Sequence, residues 1–162
     1  MAHTIIADAG PLIACAKIGN LHLLRQLFGQ VWISRSVKGE CLAKPGQDAD
    51  RITIAIDDGW LIVKTIPESH AQSPNALGEG EMDSIQLALQ SPESILFIVD
   101  DRLARRHALA YGLNIIGTVR LLDLAEKQGH ICSTEQLLHD MCNHGYRISS
   151  KLLLQIRSEN TQ

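Results

Sequence analysis

Five acidic residues stand where short apolar runs give way to other structure. Asp8 follows TIIA, Glu40 lies in SVKGECLA, Glu81 in LGEGEMDSIQLALQ, and the adjacent Asp100 and Asp101 end ILFIV. Carboxylates gathered in one pocket repel, so a cluster of them costs stability unless a cation is present. Oxygen donors without His or Cys select hard divalent ions, Mg2+ or Mn2+. An ion of that kind held by acids suits phosphoryl chemistry, because it activates water and neutralises charge on the phosphate. Just after the double acid come Arg102, Arg105 and Arg106, which are candidates for holding a phosphate backbone.

Each of these residues also has a plainer reading. Asp8 suits an Asx turn or a helix N-cap, with Gly10 allowing a tight turn and Pro11 fitting a first helical turn. One acid of the Asp100–Asp101 pair suits a cap for the following helix, where negative charge is also favoured by the dipole; two acids exceed what one cap needs. At 100° per residue, Met82, Ile85, Ala88 and Leu89 form the apolar face of their helix. Glu81 lies at the rim of that face, Asp83 falls on the solvated side and Glu79 precedes the helix. Glu40, beside Val37 and Cys41, reads by itself as an exposed helical glutamate. The three arginines equally form a solvated basic face.

The elements that must position these groups alternate. TIIA, VWIS, WLIVKT, ILFIV and LNII are short, nearly continuous apolar runs and read as strands. Helical patterns lie between them: LHLLRQLF, capped by Asn20, with Leu21, Leu24 and Phe28 on one face and Gly29 as its stop; a helix capped by Ser36 that carries Glu40; DADRITIAIDDG; RLARRHALAYG; and VRLLDLAEKQG. Ser133 and Gln136 fit a capping box before LLHDM. Strands alternating with helices imply βαβ units and a parallel sheet covered on both faces, an α/β/α sandwich. In such sheets ligands bind outside the carboxyl ends of the strands, where Asp8 and the Asp100–Asp101 pair stand. Residues 65–78, TIPESHAQSPNALG, form an irregular stretch that serves as a flap or a plain connector.

At 162 residues the chain fits one domain, 1–162, with a C-terminal helical extension at about 133–158 ending in SSKLLLQIRS. The net charge of −3 excludes a strongly basic, non-specific nucleic-acid binder while allowing a local basic rim. The four cysteines show no close CxxC pairing, and the spacing of Cys132, His139, Cys142 and His144 matches no familiar zinc finger. Reduced thiols, the lack of a long apolar run and an N-terminus without a basic start lead to the expectation of a cytoplasmic protein without membrane partners.

Taken in order, DAGPLIACAKIGNLHLL, VKGE, LGEGEMDSIQLA and VDDRLARRHALAYGLNIIGT resemble PIN-domain ribonucleases. The likeness is to the small prokaryotic branch with GEGE and DDRLAR signatures, related to VapC-type toxins, and it extends to the closing GYRISSKLL. The resemblance implies a PIN-like α/β/α sandwich with a central parallel sheet. It also implies metal-dependent endonucleolytic hydrolysis of RNA, with Mg2+ or Mn2+ as cofactor. Carried over residue by residue, the catalytic acids are Asp8, Glu40, Glu81 and Asp101, and the metal ligands are Asp8, Glu81 and Asp101 with Asp100 assisting. Partners implied for the toxin branch are an RNA substrate, an antitoxin protein and a second copy in a homodimer. Many relatives carry Ser, Thr or Asn within two residues of the first Asp, where this chain has Ala9 and Gly10, and Arg120 stands where a small residue is usual.

Two other classes compete with the ribonuclease. One is a catalytically silent PIN-like module that binds RNA or protein. The other is a receiver-like signalling domain, which would want a second acid beside Asp8 and a lysine after LNII; the sequence has neither.

Overall fold

Side chains that alternate along five short strands divide the core into two halves. The computed structural model describes residues 3–66, 78–91 and 94–160. The strands are β1 (Thr4–Ala7), β2 (Val31–Ser34), β3 (Leu61–Lys64), β4 (Ile95–Ile98) and β5 (Asn114–Ile116). All pair in parallel in the order β3-β2-β1-β4-β5. On one face Ile5, Ala7, Val31, Ile33 and Ile98 join a large apolar cluster. On the other, Ile6, Ile95, Phe97 and Val99 join a smaller one. This is the period of two that a covered sheet requires.

Helices α1 (Ala9–Lys17), α2 (His22–Phe28), α4 (Gln47–Asp57), α7 (Thr118–Lys127) and α8 (Thr134–Asn143) contribute to the larger cluster. Helices α5 (Glu79–Gln90) and α6 (Arg102–Ala110) contribute to the smaller. The result is the expected three-layer α/β/α sandwich. Helix α3 (Arg35–Leu42) buries Val37 and Cys41 in the larger cluster but also packs against α5 of the opposite layer. It therefore bridges the two layers at the rim where β2 ends. The chain closes with α9 (Ser150–Asn160), which packs on α8. Among the described residues no helix is long and apolar enough to cross a membrane.

Local signals explain most helix ends. Small buried residues on α1 (Ala9, Ala14, Cys15 and Ala16) let it pack against α4 and α3. Gly29 ends α2 at φ 80°, a left-handed conformation that glycine reaches without a Cβ clash. Ser133 Oγ accepts from the Gln136 N–H at 3.2 Å, as the capping pattern requires. Two assignments change. Asn20 does not cap α2: its Nδ2 donates to the Ile18 carbonyl at 3.2 Å, closing the turn after α1. The cap of α3 is Ser34, whose Oγ accepts from the Val37 N–H at 3.1 Å, and Ser36 instead donates to Asp83 across the α3–α5 contact. Most of the proposed flap, 67–77, lies outside the described residues.

The order of strands fixes where a ligand can sit. From β1 the chain steps outward to β2 and β3, then crosses to β4 and β5 on the other side. The reversal places a crevice at the carboxyl ends of β1 and β4, the general position for ligands in open parallel sheets. Register aligns Ala7 with Ile98, so the residues just beyond each strand, Asp8 on one and Val99 to Asp101 on the other, come side by side.

Candidate active site

Asp8 is the residue that the sheet holds most tightly. Its backbone N–H donates to the Ile98 carbonyl at 2.9 Å, continuing the ladder one step past β1. It occupies the N-cap position of α1, yet its side chain makes no capping hydrogen bond. Only 5% of it is exposed, and Oδ1 is buried with no hydrogen-bond partner. The capping role that suits an aspartate here is thus not the one it performs. A buried, unpaired carboxylate oxygen is costly. Burial above all, then the charge of Glu81 and more weakly those of Glu40 and Asp101, lift the Asp8 pKa from 3.8 to about 7, against the pull of the Ala9 amide. Gly10, expected to allow a tight turn, already belongs to α1 and has no positive φ.

Glu81 reaches this crevice from α5. That helix buries a broad stripe of Gly80, Met82, Ser84, Ile85, Leu87 and Ala88, because it meets the sheet and α3 at once. Its direction falls inside the stripe rather than at its rim. Leu87 replaces Leu89 on the buried side, and Leu89 is 48% exposed. Asp83, expected in solvent, is half-buried against Ser36.

Glu40 arrives from α3. Much of its side chain meets solvent, but the carboxylate lies against the first turn of α5. Partial burial and then Glu81 push its pKa up, while the Gly80 N–H, which it accepts, opposes them. Gly80 makes this approach possible, since a Cβ there would overlap the Glu40 carboxylate, and a Cβ at Gly78 would overlap that of Glu81. Both glycines escape a reading that looks only for reactive groups; the signal is two glycines in and before a first helical turn where a better helix former would serve. Gly80→Ala is expected to keep or slightly raise the melting temperature, because alanine favours helix and Glu40 can swing away. In the RNA cleavage that the motif resemblance implies, it should lower kcat/KM by about 10- to 100-fold, the scale of a misplaced catalytic group. Unchanged kcat/KM would show that the Glu40 position is immaterial.

The double acid divides its work between two helices. Asp101 caps α6, its Oδ2 accepting from the Ala104 N–H at 2.9 Å, and its charge is felt at Asp8. Asp100 turns to the start of α7: Oδ1 accepts from the Thr118 N–H at 2.8 Å and Oδ2 from the Thr118 hydroxyl at 2.5 Å. Burial first and then Asp100 raise the Tyr146 pKa and push the Cys15 thiol up to about 12, which places Asp100 in the neighbourhood of both. Two acids do exceed one helix cap, and the excess is absorbed by a second helix start. Thr118 and Tyr146, the partners of Asp100, carry no motif of their own in the sequence.

The arginines occupy α6. Arg102 and Arg106 are exposed, and Arg105 is half-buried against Gly117 beside Asp100. Asp8, Glu40, Glu81 and Asp101 share one electrostatic neighbourhood, whereas both carboxylate oxygens of Asp100 are engaged by Thr118. Among the described residues no three His, Cys, Asp or Glu side chains converge tightly enough to form a finished metal cage. The donor chemistry nevertheless fits a hard divalent cation. Asp8 Oδ1 is a buried anionic oxygen without a partner, and the groups that raise its pKa are themselves carboxylates.

A family model described as a PIN domain matches residues 4–162. Among solved structures, the chain is similar to a PilT N-terminus domain protein from the hyperthermophilic archaeon Sulfolobus solfataricus P2, at 14% identity and a TM-score of 0.41, over 90% of this chain and 99% of that one. Comparison with curated proteins gives no match.

Proposed function

The chain belongs to the PIN-domain family, and on that premise we propose that it is a metal-dependent endoribonuclease acting on RNA phosphodiesters at the crevice between β1 and β4. PIN domains are generally nucleases. The single observation that carries the reading is Asp8: buried, unpaired at Oδ1 and lifted to a pKa of about 7 by that burial first and then by the neighbouring acids. A fold does not keep such a group without a compensating ligand or a functional demand.

Asp8, Glu81 and Asp101 would hold the cation, with Glu40 completing the acidic set. A hard divalent ion supplies charge neutralisation on the phosphodiester and activation of a water. Asp8 contributes a fixed negative centre, because its backbone is locked in the ladder and its side chain is shielded from solvent. Glu40 and Glu81 approach from two helices that touch each other, so their spacing depends on the α3–α5 contact. Asp101 keeps α6 in place and adds its charge at the crevice mouth. Asp100 fixes the first turn of α7 through Thr118. The exposed Arg102 and Arg106 would meet substrate phosphates, contacts that position RNA without reading its sequence. Arg105, beside Gly117, completes that basic edge.

The role of toxin in a pair with an antitoxin, and a homodimeric state, are supported only by the likeness of the motifs to the toxin branch. The oxygen-only donor set favours Mg2+ or Mn2+ over zinc.

The test is cleavage of mixed RNA by the purified chain with Mn2+ or with EDTA, alongside Asp101→Asn. Expected is EDTA-sensitive cleavage, reduced about 10²-fold or more in the variant, on the scale of losing one group that stabilises developing charge. Absent cleavage with retained RNA or protein binding would replace the enzyme with a silent binding module.

A further inference from the structure

Two residues at the α3–α5 contact take no part in the proposed chemistry. The side chains of Ser36 and Asp83 hydrogen-bond across it, the serine hydroxyl donating to Asp83 Oδ2. Neither residue serves its own helix. Ser34, not Ser36, caps α3, its Oγ accepting from the Val37 N–H. Asp83 lies past the first turn of α5, where aspartate is a poor helix former and the dipole no longer favours it. Both side chains are half-buried.

We propose that Ser36 and Asp83 are positioning residues for the acidic crevice: their hydrogen bond fixes how α3 lies on α5 and thereby the separation of Glu40 from Glu81. Its functional meaning rests on the nuclease reading, while the geometry stands apart from it. On α3, Ser36 and Glu40 are four residues apart, on one side of the helix and about 6 Å along its axis. On α5, Gly80 and Asp83 are three apart, again on one side. Ser36 meets Asp83 and Glu40 meets Gly80, so the two helices run antiparallel with two polar contacts a turn apart. The second contact is the Gly80 N–H donating to the Glu40 carboxylate. That amide belongs to the first turn of α5 and has no partner in its own helix. Val37 fills the space between, its Cγ2 lying 3.4 Å from where a Cβ on Gly80 would stand. One contact leaves two helices free to roll; two fix both spacing and rotation.

The crevice end of this contact needs holding. Glu40 feels the charge of Glu81 and, more weakly, that of Glu79, both in the first turn of α5. Carboxylates at that range repel, and the push acts on the two helix ends that Glu40 and Gly80 join. The apolar part of the contact is slight there, because Gly80 has no side chain and α3 is only 8 residues long. Ser36 and Asp83 stand one turn back from the acids, where a hydrogen bond resists opening without occupying the crevice. An acidic acceptor suits that task, since a carboxylate binds a hydroxyl more strongly than a neutral oxygen does. The charges felt at Asp8 are those of Glu81, Glu40 and Asp101, not that of Asp83. Asp83 is thus directed at α3 and stays outside the acidic set.

The experiment follows the Gly80 amide by hydrogen exchange in the isotope-labelled full chain in EDTA. Mn2+ affinity is measured separately, from the electron paramagnetic resonance signal of the free ion. Ser36→Ala and Asp83→Ala should each speed Gly80 exchange about three- to tenfold, the scale of one hydrogen bond's net contribution. The amides of Ile85 and Ile33, both in the core, should keep their rates. Mn2+ affinity should fall about tenfold, the scale for residues that orient metal ligands. The double variant should be no worse than either single one, because both remove the same bond. Asp83→Asn keeps an oxygen for the Ser36 hydroxyl. It should restore the Gly80 rate and the Mn2+ affinity to within about threefold of the parent, since only a screened charge is lost. Unchanged Gly80 exchange in the alanine variants, exchange that speeds equally at Ile85, or Mn2+ affinity equal to the parent's would overturn the positioning role. So would an Asp83→Asn variant as weak for Mn2+ as Asp83→Ala, which would assign the effect to charge. If Gly80 exchange responds as expected but the parent takes up no Mn2+ or leaves RNA whole, the positioning role stands and the nuclease reading fails. If RNA is cleaved and every variant matches the parent, the reverse holds.

Discussion

Asp8→Asn is expected to give a protein that is more stable than the parent without metal at pH 8, and inactive. Asparagine keeps the shape of the side chain and removes the charge that burial and the neighbouring acids oppose. Asp8 is 5% exposed and its pKa is raised from 3.8 to about 7. A carboxyl so placed costs the folded state on the order of 4 kcal/mol once ionised, taking each pKa unit as about 1.4 kcal/mol. The gain measured in denaturant or thermal melts should be a sizeable part of that. Cleavage should fall about 10³-fold or more, because the buried anionic oxygen proposed to anchor the cation is gone. Mn2+ should raise the melting temperature of the parent by mass action and leave the variant nearly unmoved. A variant that is active, or less stable than the parent in EDTA at pH 8, would show that Asp8 is a structural residue.

The second large effect is in the pH dependence of the metal-free protein, which should lose stability as the pH rises from 4 to 8. The folded chain binds the Asp8 proton up to about pH 7, whereas the unfolded chain releases it near pH 3.8. Between those values the folded state carries more protons, so the slope of unfolding free energy against pH is negative. The contribution is fully present below about pH 4, declines through the window and is absent above about pH 7. Glu40, raised in the same direction, adds to the decline. Melting curves in EDTA at pH 4.5, 6 and 8 measure it, and the same series for Asp8→Asn should be flatter. A parent curve that rises between pH 4.5 and 8 would contradict the placement of these acids.

Strands were easier to read from the sequence than the site. Five apolar runs of the right length gave five parallel strands, because a strand covered on both faces needs no finer pattern. Helix starts were harder where two residues compete. Ser34 and Ser36 flank the first residue of α3 and either could cap it by type, but Ser36 is engaged by Asp83, 47 residues away, and Ser34 is the cap. Leu89 and Leu87 are likewise interchangeable in a helical projection until α3 is known to lie beside α5 as well as the sheet. The acids at strand ends were visible as candidates, but their unequal roles were not. The proximity that lifts Asp8, and the diversion of Asp100 to Thr118, arise from register between β1, β4 and β5, which no local stretch encodes.

That register also sets a timetable for synthesis. Thr4 pairs with Ile95 and Ala7 with Ile98, so the strand made first waits for one made about ninety residues later before its second edge is closed. Contacts between such distant parts of a chain form late, after the entropy of a long loop has been overcome. While a ribosome is still extending the chain, Asp8 has emerged but Asp101 and the arginines after it have not. A nascent chain cut short before Asp101 therefore lacks one member of the proposed acidic set, and any hydrolytic power would wait until that residue has been made and β4 has joined the sheet.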